Sequence, residues 1–220
     1  MTQPVILSWS GGKDSMMALE ALRRDERYSV EGLLTTLTEG YDRISMHGVR
    51  RTLLQQQARA LGLPLHEVFI PQQCTNADYR ERMRAVLQQF KDRNITTIAH
   101  GDLFLEDIRA YREENLAKLG LTGLFPLWLV PTGELARTVI DSGYRAVTVC
   151  IDGEALDKQY VGREYNDEFI ASLPAGTDIC GENGEFHTFV YDGPLFSAPV
   201  PFTIGETVLR DNRFWYCDLE

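Results

Sequence analysis

The chain has 220 residues, 44% hydrophobic and 25% charged, with a formal net charge of −10. That length and balance suit a globular protein with room for one large domain or two small ones. No run of about 18 apolar residues occurs, so no membrane span is expected, and the acidic balance makes nucleic acid an unlikely partner because it offers little non-specific attraction to phosphate backbones.

Local basic clusters at Arg23/Arg24, Arg50/Arg51 and Arg80/Arg82/Arg84 read as solvated helix faces rather than binding patches. Cys74, Cys150, Cys180 and Cys217 are widely spaced, with no CxxC pair. That argues against a zinc site or a dithiol motif and fits a reducing compartment. The opening MTQPVILSWSGG lacks a basic leader region, so a cytoplasmic location is expected.

In chain order, VILSW (5–9) is an apolar run ending in Ser-Gly-Gly, hence a buried strand. DSMMALEALRRD (14–25) sets Met17, Ala18, Ala21 and Leu22 at helical spacing, with Asp14 as an N-cap or first-turn acid. YSVEGLLTTL (28–37) predicts a second strand, and EGYDR a turn. GVRRTLLQQQARALG (48–62) predicts a helix, LHEVFI (65–70) a strand, 76–93 a long amphipathic helix, NITTIAH (94–100) a strand and 105–120 another helix. Strands alternating with helices of this length imply right-handed crossovers and a parallel sheet covered on both faces.

The texture changes near 121–131, where glycines and prolines bracket an apolar core and suggest a boundary loop. A helix (133–143), a strand (144–151) and a helix (162–174) follow. The end of the chain is β-like over 186–193, 201–211 and 213–220. The expected division is therefore an α/β domain over 1–130 and a smaller α+β domain over 131–220.

The segment SGGKDS (10–15) sits between the first strand and the first helix. Aligned on Gly12-Lys13, a Walker A loop would need glycine at Leu7 and a hydroxyl at Asp14, so this is a phosphate loop of another kind. Gly11 and Gly12 let the backbone approach an anion. The helix that follows aims its free N–H groups and its dipole at the same spot. Ser10 and Ser15 add hydroxyl donors, Lys13 a mobile positive charge, and Asp14 a carboxylate able to hold magnesium.

SGGKDS resembles the SGGxDS signature of the ATP pyrophosphatases, the PP-loop or N-type family, whose nucleotide domain is of the adenine nucleotide alpha hydrolase-like kind. The resemblance implies that the loop grips the β- and γ-phosphates of ATP, which leave together as pyrophosphate while a nucleophile attacks the α-phosphorus. HGDLFLEDIR (100–109), FPLW (125–128) and GENGEFHTFVYDGPLF (181–196) narrow the resemblance to the diphthine–ammonia ligase family and its bacterial relatives. It implies ATP and Mg2+, ammonium, and a carboxylate acceptor that is either the diphthine of an elongation factor or a small molecule.

Within those motifs, Gly101 and Asp102 fall at the predicted C-terminal end of a parallel strand, where open α/β sheets bind ligands. Asp102 is a candidate for magnesium or substrate, or else a helix N-cap. Arg109 is a candidate to neutralise phosphate or carboxylate, or else a surface cation. His47 is a candidate nucleotide contact or a plain loop histidine. Glu182, Asn183, Glu185, His187 and Thr188 are candidates for the acceptor or ammonium, against the alternative of a surface turn. Among them Glu185 and His187 join Lys13 and Asp14 as candidate catalytic groups, with His187 removing a proton from attacking ammonia.

The implied reaction is adenylation of a carboxylate followed by amidation, giving AMP and pyrophosphate. A tRNA-modifying or other PP-loop enzyme would share the loop, as would a nucleotide-binding sensor. The acidic charge and scattered cysteines weigh against the first, and the elaborated C-terminal motif against the second. A homo-oligomer is left open.

Overall fold

The computed structural model describes residues 2–220. The elements run in order as β1 (Gln3–Ser8), α1 (Lys13–Arg24), β2 (Tyr28–Thr38), β3 (Arg43–Ile44), α2 (Arg51–Ala60), β4 (Leu65–Ile70), α3 (Asn76–Asp92), β5 (Thr97–Ala99), α4 (Glu106–Ala117) and β6 (Thr122–Leu124). They continue with α5 (Thr132–Asp141), β7 (Arg145–Asp152), a short 3-10 turn (Lys158–Tyr160), α6 (Asp167–Ser172), β8 (Phe186–Asp192), β9 (Ile204–Arg210) and β10 (Phe214–Leu219). No helix among the described residues is long and apolar enough to cross a membrane.

The chain packs as two compact units that are not continuous in sequence. One holds Met1–Ser10, Asp14–Ser45 and Leu63–Leu129; the other holds Gly11–Lys13, Met46–Gly62 and Val130–Glu220.

The first unit is a mostly parallel α/β sheet. β1 pairs in parallel with β2 and with β5, β2 with β4, and β5 with β6, while β3 adds a two-residue antiparallel pair to the end of β2. Val5, Ile6 and Leu7 of β1 have no exposed surface, as expected of a central strand covered on both faces. One core cluster joins Ile6, Leu34 and Ile98 of the sheet to Leu87 and Phe90 of α3 and Leu116 of α4. Burying a side chain the size of Phe90 contributes roughly 2–3 kcal/mol. Thr75 starts α3 with a capping box: its side chain accepts from the Asp78 backbone N–H, and the Asp78 carboxylate accepts from the Thr75 N–H.

The second unit carries a smaller antiparallel sheet in the order β8-β7-β10-β9. Tyr165, Phe169 and Phe186 pack ring against ring at 5.3–6.0 Å beside this sheet, and the Tyr165 hydroxyl donates to the Ile179 carbonyl at 2.8 Å. The aromatic cluster thereby ties the entry to β8 to α6. Arg50, expected on a solvated helix face, instead bridges Asp218 and Glu220 at 2.6 Å each, pinning the start of α2 to the end of the chain.

Three expectations need correction. The 121–131 stretch contains β6, a three-residue strand paired only with β5 and too short to show a period. The helix expected over 162–174 forms only at Asp167–Ser172, because Glu164 instead bridges to Val147 of β7. The helix expected from 48 starts at Arg51, since Arg50 is extended (φ −60°, ψ 136°).

Candidate functional site

The candidate residues fall into two groups, one in each compact unit.

In the second unit the centre of SGGKDS is held by β8 and α2. The Gly11 carbonyl accepts from the Val190 backbone N–H at 2.9 Å and from Gln57 Nε2, also at 2.9 Å. The same Gln57 nitrogen donates to the Val190 carbonyl at 2.6 Å. Gln57 has no exposed surface, so one buried amide staples loop to strand. Gly11 has φ +78°, and a Cβ there would lie 2.9 Å from Gln57 Oε1 and 3.1 Å from Leu54 Cδ1. A Cβ on Gly12 would lie 2.9 Å from the Thr188 carbonyl oxygen. Both glycines are therefore demanded by the loop's own packing, in addition to any approach of an anion.

The Lys13 backbone N–H donates to Thr188 Oγ1 at 3.1 Å. Lys13 itself is buried, its Nζ 5.6 Å from the centre of the Phe186 ring. The rings of His47 and His187 lie 4.4 Å apart between centres, tilted by 32°. Burial pushes His187 down to about 4, helped by the positive charge of Lys13. Burial also holds His47 well below its ordinary range, with His187 and Lys13 adding to the effect and a hydrogen bond to the Thr188 backbone opposing it. Both rings are accordingly neutral at pH 7.

GENGEFHT divides by role. The Glu185 carboxylate is buried and accepts from the backbone N–H groups of Asp178 and Asn183, at 3.0 Å each, and from Asn183 Nδ2 at 3.1 Å. Those bonds knit the turn before β8. Asn183 is thus engaged with Glu185, while the Glu182 N–H donates to Asp178 at 3.3 Å. Phe186, His187 and Thr188 are members of the motif that come near Lys13 at the loop centre.

In the first unit, Ser10 Oγ and Ser15 Oγ lie 3.2 Å apart. Gly101 follows β5 and packs on the start of α1, where a Cβ would meet the Asp14 carbonyl carbon and oxygen at 2.9 Å and the Ser15 nitrogen at 3.1 Å. Asp102 is not an N-cap, since Leu105 holds that place on α4; it forms an ion pair with Arg112, whose Nε lies 2.7 Å from its Oδ2. Arg109 stacks 4.9 Å from Phe125 and 4.6 Å from Trp128 and pairs with Glu113 at 2.8 Å. Its charge is taken up locally. The described residues contain no group of three or more His, Cys, Asp or Glu side chains able to hold a metal.

Sequence reasoning missed Gln57 and Arg112. The signal for Gln57 was present: it falls at helical spacing on the apolar face of α2 with Leu53, Leu54 and Ala58, an unusual place for an amide. Nothing in the sequence singles out Arg112 from the other cations of its helix.

Comparison with known proteins finds two domain families in succession along the chain. A diphthamide synthase N-terminal domain family matches residues 3–122, and a diphthamide synthase C-terminal domain family matches 131–218. A diphthine–ammonia ligase of Mus musculus is 27% identical over 91% of this chain and 83% of its own length. That of Danio rerio is 29% identical over 70% of this chain and 67% of its own, and that of Homo sapiens 26% identical over 91% and 83%. With a mostly parallel α/β sheet, a smaller antiparallel sheet, and both domain families matched in order along the sequence, this chain belongs to the diphthamide synthase family.

Proposed function

We propose that the protein is an ATP-dependent ligase that converts a carboxylate into an amide. An acceptor carboxylate oxygen attacks the α-phosphorus of ATP, and the bond to the β-phosphate oxygen breaks with release of pyrophosphate. Ammonia then attacks the acyl carbon of the mixed anhydride, AMP leaves, and the nitrogen sheds a proton. The observation that carries this reading is the SGGKDS loop, its glycines fitted without Cβ space against β8 and α2 and its lysine buried at the loop centre. The relatives named diphthine–ammonia ligase support the reaction type.

In this reading the N–H groups at the start of α1 and the Lys13 ammonium stabilise charge building on the departing pyrophosphate. Ser10 and Ser15 add hydroxyl donors. Magnesium fits as an ion carried mainly by phosphates and water, with Asp14 as the protein carboxylate at the loop; Asp102, bound to Arg112, is unsuited to that role. When bound, the ion neutralises phosphate charge.

The neutral His187 ring is too weak a base to be matched to proton removal near pH 7. A hydrogen-bond acceptor that orients incoming ammonia suits it better, with Thr188 fixing the loop beside it. Glu185 acts by shaping the turn that presents both. The acceptor is a carboxylate, either the diphthine named in the relatives or a smaller acid.

The test is incubation with ATP, magnesium, ammonium and a panel of carboxylates, including a diphthine-bearing elongation factor. AMP and pyrophosphate should form in equal amounts and depend on both acceptor and ammonium. Asp14→Asn should lower the rate about hundredfold. ADP and phosphate as the products would overturn the reading.

A further inference from the structure

A cavity of about 540 Å³ opens in the first unit between α3 and α4, and none of the SGGKDS residues lines it. Its volume is in the range of sites for small organic ligands. One wall continues the hydrophobic core: Leu87 and Leu116 belong to the core cluster, with Met83 and Leu119 packed against it. Tyr79 and Tyr111 add aromatic surface.

The charge on this wall is opposite to that of the whole chain. Arg80, Arg84, Arg112 and Lys118 line the cavity with a single acid, Glu81. Arg112 is balanced by Asp102 and Lys118 by Glu114. Arg80 and Arg84 are exposed, and neither has a carboxylate at ion-pair distance among the described residues. In a protein of net charge −10, two exposed guanidinium groups outside any close ion pair, one of them within the field of Glu114, are suited beside an apolar wall to an incoming anion.

His100 supplies an independent observation. It lines the same cavity, is 7% exposed, and neither ring nitrogen has a hydrogen-bond partner. A neutral imidazole carries one donor and one acceptor, and leaving both unmet inside a protein is costly. Phe125 stacks on the ring at 5.5 Å and fixes its plane without meeting either need.

We propose that this cavity binds a small amphipathic acid with a carboxylate or phosphate at one end, an aryl or alkyl body, and a hydrogen-bonding group at the other. The anion meets Arg80 and Arg84, the body lies on Leu116 and Leu119, and the distal group pairs with His100. The site is separate from the ATP loop.

Calorimetric titration of the full chain without nucleotide tests this, using 3-(4-hydroxyphenyl)propanoate and 2-(4-hydroxyphenyl)ethyl phosphate as probes. At least one should bind saturably at one site, and comparing them separates the two anions. The uncharged 3-(4-hydroxyphenyl)propanamide should bind about tenfold more weakly than the acid. Arg84→Gln should weaken the anions by a similar factor and leave the amide unchanged. Leu119→Trp, which fills the cavity from a half-buried position, should abolish binding while ATP binding persists. His100→Phe should erase any preference for the hydroxyphenyl acid over 3-phenylpropanoate. No saturable binding of either anion at millimolar concentration would overturn the proposal. So would equal binding of acid and amide, or undiminished binding by a folded Leu119→Trp protein.

Discussion

The segments after β5 and at the start of β8 both meet the SGGKDS loop, and they do so by opposite means. Gly101 contributes the absence of a side chain: its bare Cα faces the Asp14 backbone where a methyl would lie at 2.9 Å. Thr188 contributes a hydroxyl that accepts from the Lys13 N–H, with the two neutral histidines alongside. The charged residues that follow Gly101 are paired locally, Asp102 with Arg112 and Arg109 with its rings and Glu113. One contact is therefore steric and the other chemical, and they should fail differently when altered.

The largest effect is expected on the steric side. Gly101→Val forces the Asp14 backbone to move, displacing the carboxylate and the first helical N–H groups. A displacement of about 1 Å costs on the order of a hundredfold in rate, so AMP formation should fall by at least that while circular dichroism stays native. A Gly101→Val protein with wild-type turnover would show that the loop is not fixed from this side.

Next comes the staple on the chemical side. Gln57→Leu keeps the size of the side chain but removes the donor to the Gly11 and Val190 carbonyls. Gly11 retains its bond from the Val190 N–H; the Val190 carbonyl is left with the larger loss. The cost should be about 2 kcal/mol in unfolding free energy, read from urea midpoints. An unchanged midpoint would mean that water replaces the amide.

The histidine pair makes the chemical side sensitive to pH. An unfolded imidazole takes up its proton near pH 6.5, whereas folded His187 does so only near 4. The unfolded state therefore binds more protons between these values, and stability present at pH 7 is lost as pH falls through this window. The ring is only partly enclosed, so about 1–2 kcal/mol is expected from His187 after allowing for solvent screening. His187→Gln should flatten the fall in urea midpoint by that amount between about pH 7.5 and about pH 4.5. A parallel slope in the variant would remove His187 from the account.

How much of this was legible depended on the range of the interaction. β4 and α3 followed from local period and the parallel sheet from the alternation of strands with helices, and SGGKDS from its place between strand and helix. Gly11 and Gly12 were singled out for closeness to phosphate, but their contacts with Gln57 and the Thr188 carbonyl arise from residues far along the chain. Glu185 looked catalytic because it is acidic and close to a histidine. Only the folded turn shows its oxygens accepting from Asp178 and Asn183. Asp102 was read for magnesium because its partner Arg112, ten residues on, carries no mark in the sequence. A carboxylate's partner is a tertiary fact, and residue type alone does not reveal whether its charge is already balanced.

The smallest expected effect isolates the single hydroxyl. Thr188→Val keeps the branched shape in β8 and its packing, but removes the acceptor for the Lys13 N–H. One such bond contributes about 1 kcal/mol, so the rate of AMP formation should fall several-fold with little change in fold. Thr188→Ser retains the oxygen and should stay close to wild type, although it loses the methyl. If valine and serine behave alike, the hydroxyl does not set the loop, and the contact of β8 with Gly12 reduces to the same kind of steric fit that Gly101 makes with Asp14.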